Sequence, residues 1–479
     1  MKIPFIRQRR RKKPRVAIIG LDCADPALVF DRFAGELPHL DSLRKRGLYG
    51  PLESVTPAIT VPAWACMTTG KDPGTLGIYG FRNRRDHAYD SPYIANARAV
   101  REPRLWDILS QRGRESIVLG VPPTYPVSPL NGQLVASFLA PGIDSDYTYP
   151  ATLKQDIARH VGEYMLDTRD FRTDDKDDLL AQIYTMTRQR FKVARYLLDN
   201  NRAWDFFMMV EIGVDRIHHG FWKAMDATHR HHDPASPYRN AIFDYYRTVD
   251  SEIGTLLDRL DDQTAVFVVS DHGAQKMDGG ICINEWLIRE GYLVLAGEAD
   301  PSQGPVRFDQ LTVDWRRTSA WGEGGYYGRV FLNVLGREPQ GIVTPEEYEP
   351  LRDELRGKLE ALGDENGQPI GTRCYTPQEL YRQVRGVPPD LLVYFGDLAW
   401  RSIGTVGWNR VHIFENDTGP DDANHSRTGL FLYYHPQHDF GSQRLDDLHL
   451  LQIAPTVLNL LGIGVPPDMQ MPAINALLQ

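Results

Sequence analysis

The chain has 479 residues, 42% hydrophobic and 24% charged, a composition suited to a globular protein with an extensive core. Its formal net charge of -9 gives no general basic field for nucleic acid, so an anionic substrate must be attracted by local charges or metal ions. Cys23, Cys66, Cys282 and Cys374 are scattered and form no CxxC pair, which argues against a zinc knot or a disulfide framework. No apolar run reaches the roughly 18–20 residues that span a bilayer.

Residues 1–15 carry a basic cluster that is not followed by a signal-peptide core, because Val16 to Gly20 is short and leads straight into Asp22. This reads as a disordered basic tail on a cytoplasmic protein. The alternative for the tail is weak docking on an anionic membrane or on nucleic acid, and the overall acidity disfavours nucleic acid. Val16 to Leu21 is a short apolar run typical of a buried parallel strand, and Pro38 to Gly47 fits a helix stopped by glycine. Arg104 to Gly113 reads as a helix and Ser116 to Val121 as a strand. The region from about 176 to 200 is strongly helical, with Leu179, Ile183, Phe191 and Leu197 among its apolar positions. Trp204 to Val210 is a strand, Ala241 to Leu260 a helix and Ala265 to Ser270 a strand. Late strands are expected at 390–395 and 429–434, and Leu450 to Leu461 closes the chain as a helix. Strands alternating with helices predict one α/β domain over 16–479, with a mainly parallel sheet between helical layers. The region from about 280 to 385 is rich in Gly, Pro and charge and reads as an insertion or cap.

The stretch from Thr56 to Gly70 combines a hydroxyl, Thr60, with Pro62 and a helix-compatible run that Gly70 can end. Thr60 then sits near a helix N-terminus, where free amides and the dipole attract anions. It is either an N-cap threonine or a nucleophile aimed at a phosphoryl group. Ligands of an open parallel sheet bind beyond the carboxyl ends of its strands. Asp22 and Asp271 stand at such ends, and Asp215 lies shortly after one. Asp215 and His219 are spaced i, i+4, so on a helix they share a face as metal ligands or as a surface pair. His218 points about 100° away and is the weaker candidate. Asp271 and His272 are adjacent, and Gly273 permits the turn that lets both face one point. His425 precedes a late strand. Mixed Asp and His donors suit zinc, or manganese and iron, rather than calcium.

The segments Ile19–Asp22, Ile59–Trp64 with Thr69-Gly70 and Gly77-Ile78, Asp215–His219, Ser270–Gly273 and His425 resemble, in order, the type I phosphodiesterase/nucleotide pyrophosphatase branch of the alkaline phosphatase superfamily. Ile453 to Gly462 resembles its closing helix. The resemblance implies an alkaline-phosphatase-like three-layer α/β sandwich. It also implies two divalent metal ions, zinc with manganese as the alternative. Carried onto this sequence, Asp215, His219 and His425 hold the first metal, and Asp22, Asp271 and His272 the second. Thr60 is the nucleophile and bridges toward one metal. The implied reaction is hydrolysis of a small, nucleotide-like phosphodiester through a phosphothreonine. Alternatives are a phosphomonoesterase or phosphonate hydrolase of the same superfamily, or a catalytically silent anion-binding relative. The segment Thr60-Val61-Pro62-Ala63-Trp64 lacks the oxidisable residue and the arginine of the sulfatases, and the serine nucleophile of cofactor-independent phosphoglycerate mutases is absent. Phe81 stands near the position where many relatives place a phosphate-binding Asn, and Leu76 where they often show His. Asn83, Arg82 or Arg84 are the candidates to replace that Asn, with Arg427 a further phosphate contact. In the insertion, Trp321, Tyr326, Tyr327 and Arg329 either stack a base and clamp a phosphate or pack the cap. Cys23 and Cys66 read as small buried residues.

Overall fold

A computed structural model describes residues 13–297 and 304–477. The expected basic tail lies mostly outside the described residues. Within them, Arg15 already belongs to the first strand, where its guanidinium lies 4.9 Å from the Trp204 ring centroid.

Among the described residues, ten strands form the central sheet. They are β1 (Arg15–Leu21), β2 (Leu48–Glu53), β3 (Ser116–Leu119), β4 (Gly132–Val135), β5 (Thr148–Tyr149), β6 (Phe206–Glu211), β7 (Thr264–Val269), β8 (Thr428–Tyr434), β9 (Gln443–Arg444) and β10 (Leu448–His449). Their order is β9-β2-β8-β7-β1-β6-β3-β4-β5, with β10 also paired to β2. The centre, β7-β1-β6-β3-β4, is parallel throughout. The late strand β8 is antiparallel to both of its neighbours. In register, Gly20 of β1 faces Val210 of β6 on one side and Val269 of β7 on the other. Three neighbouring strands therefore end side by side, which brings the loops after them to one place.

The strands are buried on both faces, so their apolar runs are continuous rather than alternating. Ala17 and Ile19 of β1 join one core with α1 (Pro38–Arg46), α3 (Lys176–Asn200), α4 (Gly213–Met225) and α5 (Ala241–Leu257). Val16 and Ile18 join the opposite core with α2 (Thr60–Thr69) and α6 (Ile453–Leu460). The result is the three-layer α/β arrangement. No helix among the described residues is long and apolar enough to cross a membrane.

The chain leaves this pattern over 279–413. Ala320–Glu323, Gly328–Leu332, Arg373–Tyr375 and Leu391–Tyr394 form a four-stranded antiparallel sheet. Gly279–Cys282, Trp400–Ile403 and His412–Ile413 form a three-stranded one. The departure runs past residue 385 because the apolar strand at 391–394 pairs inside the insertion and not in the central sheet. Its apolar residues have a core of their own, including Trp321, Phe331, Leu355 and Leu391.

Every residue of α2 is buried, as expected of a helix that is apolar around its whole circumference. Gly70 ends it with φ +69°, a left-handed cap that glycine adopts freely. The Trp64 ring of α2 lies directly over Gly20. A Cβ on Gly20 would meet Trp64 Cη2 at 2.5 Å and Val210 Cγ2 at 2.9 Å. Gly20→Ala is therefore expected to destabilise the fold by about 1–3 kcal/mol through overpacking. Denaturant unfolding measures this, and a variant as stable as the parent would show that Trp64 can retreat freely.

Candidate active site

The parallel register sets the acids at neighbouring strand ends. Asp22 follows β1, and its backbone N–H is bonded to the Glu211 carbonyl at the end of β6. Asp271 follows β7 after Ser270. Asp215 lies in the first turn of α4, which starts directly after β6. His219 is one turn further along α4 on the same face, with Nε2 3.2 Å from Asp215 Oδ1. His218 faces away from this group and lies 3.2 Å from the Tyr246 hydroxyl. The loop between β7 and β8 supplies His272 and, through the antiparallel pair Gly273–Lys276 and Ala423–Ser426, His425. The His272 and His425 rings stack with centroids 3.8 Å apart.

These residues form two groups. Asp22, Asp271 and His272 make one, and Asp215, His219, His425 and Cys23 the other; within each group one donor atom per residue lies within 4.8 Å of the others. Thr60 is the first residue of α2, after the cap residue Ile59, and its side chain bonds outside the helix. Its hydroxyl points into the site, 3.4 Å from Asp22 Oδ1 and 3.3 Å from His272 Nε2. All six Asp and His residues and Thr60 are at most 3% exposed.

The histidines are oriented from behind. His425 Nδ1 lies 2.9 Å from the Ala58 carbonyl, His272 Nδ1 3.2 Å from the Gly273 carbonyl and His219 Nδ1 2.7 Å from Asp421 Oδ1. A proton on each Nδ1 leaves the Nε2 lone pair facing the cluster, as metal-ligating imidazoles require. His219 Nε2, His425 Nε2 and Asp271 Oδ2 are buried without a hydrogen-bond partner. These orphaned donor atoms, together with the mixed Asp/His chemistry, fit divalent metal ions.

Charge concentration has the same implication. Burial, reinforced by the Asp271 and Asp215 carboxylates, pushes the Asp22 carboxyl far up. Burial also raises Asp271, with His272 acting against it. Asp215 goes the other way. Burial opposes its ionisation, but His219 and Arg216 together hold it well below the usual carboxylate range.

Several residues of the site carry no signal that the sequence reading picked up. Trp64 donates its indole N–H to Asp22 Oδ2 at 2.7 Å, a contact that follows from its i+4 position relative to Thr60 on α2. Asp421 anchors His219 and is itself gripped by Arg172 Nε at 3.0 Å, Arg401 Nη1 at 3.4 Å and the Tyr326 hydroxyl at 3.3 Å. Arg216 pairs with both Asp215 and Asp167. Cys23, expected to be a plain buried residue, joins Asp215, His219 and His425, hereafter the first donor group.

The substrate-contact candidates divide. Asn83 Oδ1 accepts from the Tyr79 N–H at 2.7 Å, and its Nδ2 donates to the Gly80 carbonyl at 2.9 Å. The amide closes its own turn. The Arg84 guanidinium packs over Trp321 and Phe331 beside Glu338, and the Arg82 carbonyl is bonded by Arg329. In the insertion, Trp321, Tyr327 and Arg329 are packing residues. Tyr326 differs, since its ring lies 4.9 Å from that of His219 and 4.3 Å from that of His425. Arg427 remains 30% exposed, with one hydrogen bond to the Tyr375 hydroxyl and ion pairs at 3.8 Å to Glu53 and Asp397.

The sequence profile described as type I phosphodiesterase / nucleotide pyrophosphatase matches residues 16–421. The chain belongs to this family. It is accordingly a phosphoric ester hydrolase of the phosphodiesterase/pyrophosphatase type, from a metal-dependent family. Among solved structures, that of human ectonucleotide pyrophosphatase / phosphodiesterase 5 superposes with a TM-score of 0.53 at 12% identity, covering 95% of this chain and 96% of that one. This likeness establishes the shared fold. No curated protein matches the sequence.

If Asp421 fixes the tautomer and basicity of His219, Asp421→Asn is expected to weaken zinc affinity by roughly 10–100-fold. Competition against a chromogenic chelator reads this directly. Unchanged affinity would remove the positioning role.

Proposed function

We propose that the protein hydrolyses small phosphodiesters, nucleotide-like in character, with Thr60 as nucleophile and two divalent ions held by the two donor groups. Asp215, His219 and His425 would hold the first ion, and Asp22, Asp271 and His272 the second, zinc being the best fit with manganese as the alternative. The observation that carries this reading is the buried Thr60 hydroxyl, which stands against Asp22 and His272 at the start of α2. When bound, the ions supply charge to the phosphoryl oxygens and lower the pKa of a nearby hydroxyl or water.

The chain's own groups account for the rest of the arrangement. The N-terminal end of α2 adds a positive dipole and free amides at the attacking hydroxyl. Trp64 holds Asp22 from behind. In the first step the Thr60 oxygen forms a bond to phosphorus as the bond to the leaving oxygen breaks, and the hydroxyl proton, which faces Asp22 Oδ1, ends on the departing alcohol. In the second, water attacks the phosphothreonine, the P–O bond to Thr60 breaks and the hydroxyl is restored. Arg427 is the proposed outer phosphate contact. Its backbone carbonyl accepts from the Ser54 N–H, and the Ser54 hydroxyl donates to the Asp271 carbonyl, so its position is tied to the site.

Bis-p-nitrophenyl phosphate is the direct probe. Thr60→Ala is expected to lower turnover by on the order of 10³-fold or more, and chelation to abolish it until zinc or manganese is restored. Full activity in Thr60→Ala would sink the nucleophile assignment. A clear preference for p-nitrophenyl phosphate over the diester would overturn the choice of substrate class.

A further inference from the structure

The residue after Asp22 has a backbone conformation that favours glycine, φ +66°, yet it is a cysteine. This turn directs its side chain into the first donor group. Cys23 Sγ, a carboxylate oxygen of Asp215 and one ring nitrogen each of His219 and His425 all lie within 4.8 Å of one another. Cys23 is fully buried, its backbone N–H donates to Asp271 Oδ1 at 3.2 Å, and its thiol makes a weak hydrogen bond from Sγ to the Gly273 carbonyl at 3.3 Å. Two neighbours in the group, His219 Nε2 and His425 Nε2, are buried, without hydrogen-bond partners and turned toward the same space.

We infer that Cys23 supplies a thiolate ligand to the ion held by Asp215, His219 and His425, making that position a Cys/Asp/His/His site for a thiophilic divalent metal. The inference rests on the two-ion reading above and adds a donor to it. On binding, a sulfur–metal bond replaces the S–H bond, the proton leaves to solvent and the hydrogen bond to Gly273 is given up. Hard oxygen-only donors accept manganese or magnesium readily, whereas a thiolate favours zinc, cobalt and cadmium. Cys23 would thus set the metal preference of this position, while the Asp22/Asp271/His272 position has no sulfur.

Cobalt(II) titrated into the metal-free, full-length protein in reducing buffer tests the assignment. The expected result is a near-ultraviolet thiolate-to-cobalt charge-transfer band, lost in Cys23→Gly and kept in Cys66→Ala. Cys23→Gly suits the left-handed backbone, so it is the variant least prone to misfold. X-ray absorption of the zinc-loaded parent gives a second readout, a sulfur scatterer in the zinc shell. In Cys23→Gly, the affinity ratio of zinc over manganese at this position should fall by roughly tenfold or more. Cobalt bound stoichiometrically by the parent with no such band, or a band that persists in Cys23→Gly, would overturn the inference and leave the two-ion reading intact. Failure to bind cobalt or zinc at all would overturn both.

Discussion

The structure depends on a concentration of buried charge. Three carboxylates, Asp22, Asp215 and Asp271, stand at the ends of neighbouring parallel strands with almost no access to water. Burying such groups without partners is prohibitive. Each receives something from the protein. Trp64 donates to Asp22, the Cys23 backbone N–H to Asp271, and Arg216 pairs with Asp215. The compensation is uneven. The group around Asp215 borders a set of fixed cations, Arg216 directly and Arg172 and Arg401 through Asp421. Among the described residues, Asp22 and Asp271 share one ion-pair partner, His272. On the two-ion reading, the second position therefore leans more heavily on its bound cation than the first.

This asymmetry fits the position of Thr60. Its hydroxyl contacts Asp22 and His272, both of the poorly compensated group. A nucleophile gains most where protein cations do not already satisfy the carboxylates, because an added ion there keeps charge to offer an incoming phosphoryl oxygen. The rigid seat of α2 serves the same end. The helix is buried on all sides, and Trp64, one turn beyond Thr60, fixes both Asp22 and the packing over Gly20. Small displacements of this helix would move Thr60, the proposed nucleophile, and Asp22 together.

Much of the fold and of the donor set was legible in the sequence because each signal is local. Asp22 and Asp271 follow short apolar runs that read as strands, and strand ends are where ligands gather. Asp215 and His219 show helical spacing, and Pro62 marks the first turn of α2. The antiparallel insertion of β8 between β2 and β7 was not legible, since no local pattern states which strands pair. Asp421 was missed for a related reason: its partners Arg172, His219, Tyr326 and Arg401 come from separate segments joined only by the fold. For Asn83, read as a candidate substrate contact, the sequence did not show that its side-chain amide bonds within its own turn, as an Asn in a loop commonly does. Cys23 showed only a small apolar residue, and the left-handed backbone that aims its sulfur is a property of the loop as a whole.

The insertion bears on the chemistry more closely than a separate cap would. Tyr326 lies in it and stacks against His219 and His425, while its hydroxyl joins Arg172 and Asp421. Arg401, in the insertion's three-stranded sheet, also reaches Asp421 and lies 5.1 Å from the Tyr326 ring. One side of the first donor group is thus built from insertion residues, and the other from α4 of the central layer. The orientation of His219 is then set jointly by two regions with separate hydrophobic cores. Changes in the insertion would reach a proposed metal ligand through Asp421 and Tyr326, without touching any of the six Asp and His residues. The same contacts set the two imidazoles against the Tyr326 ring. Outside this aromatic stack, the proposed phosphate contact is Arg427, the partly exposed cation whose backbone is tied to Asp271 through Ser54.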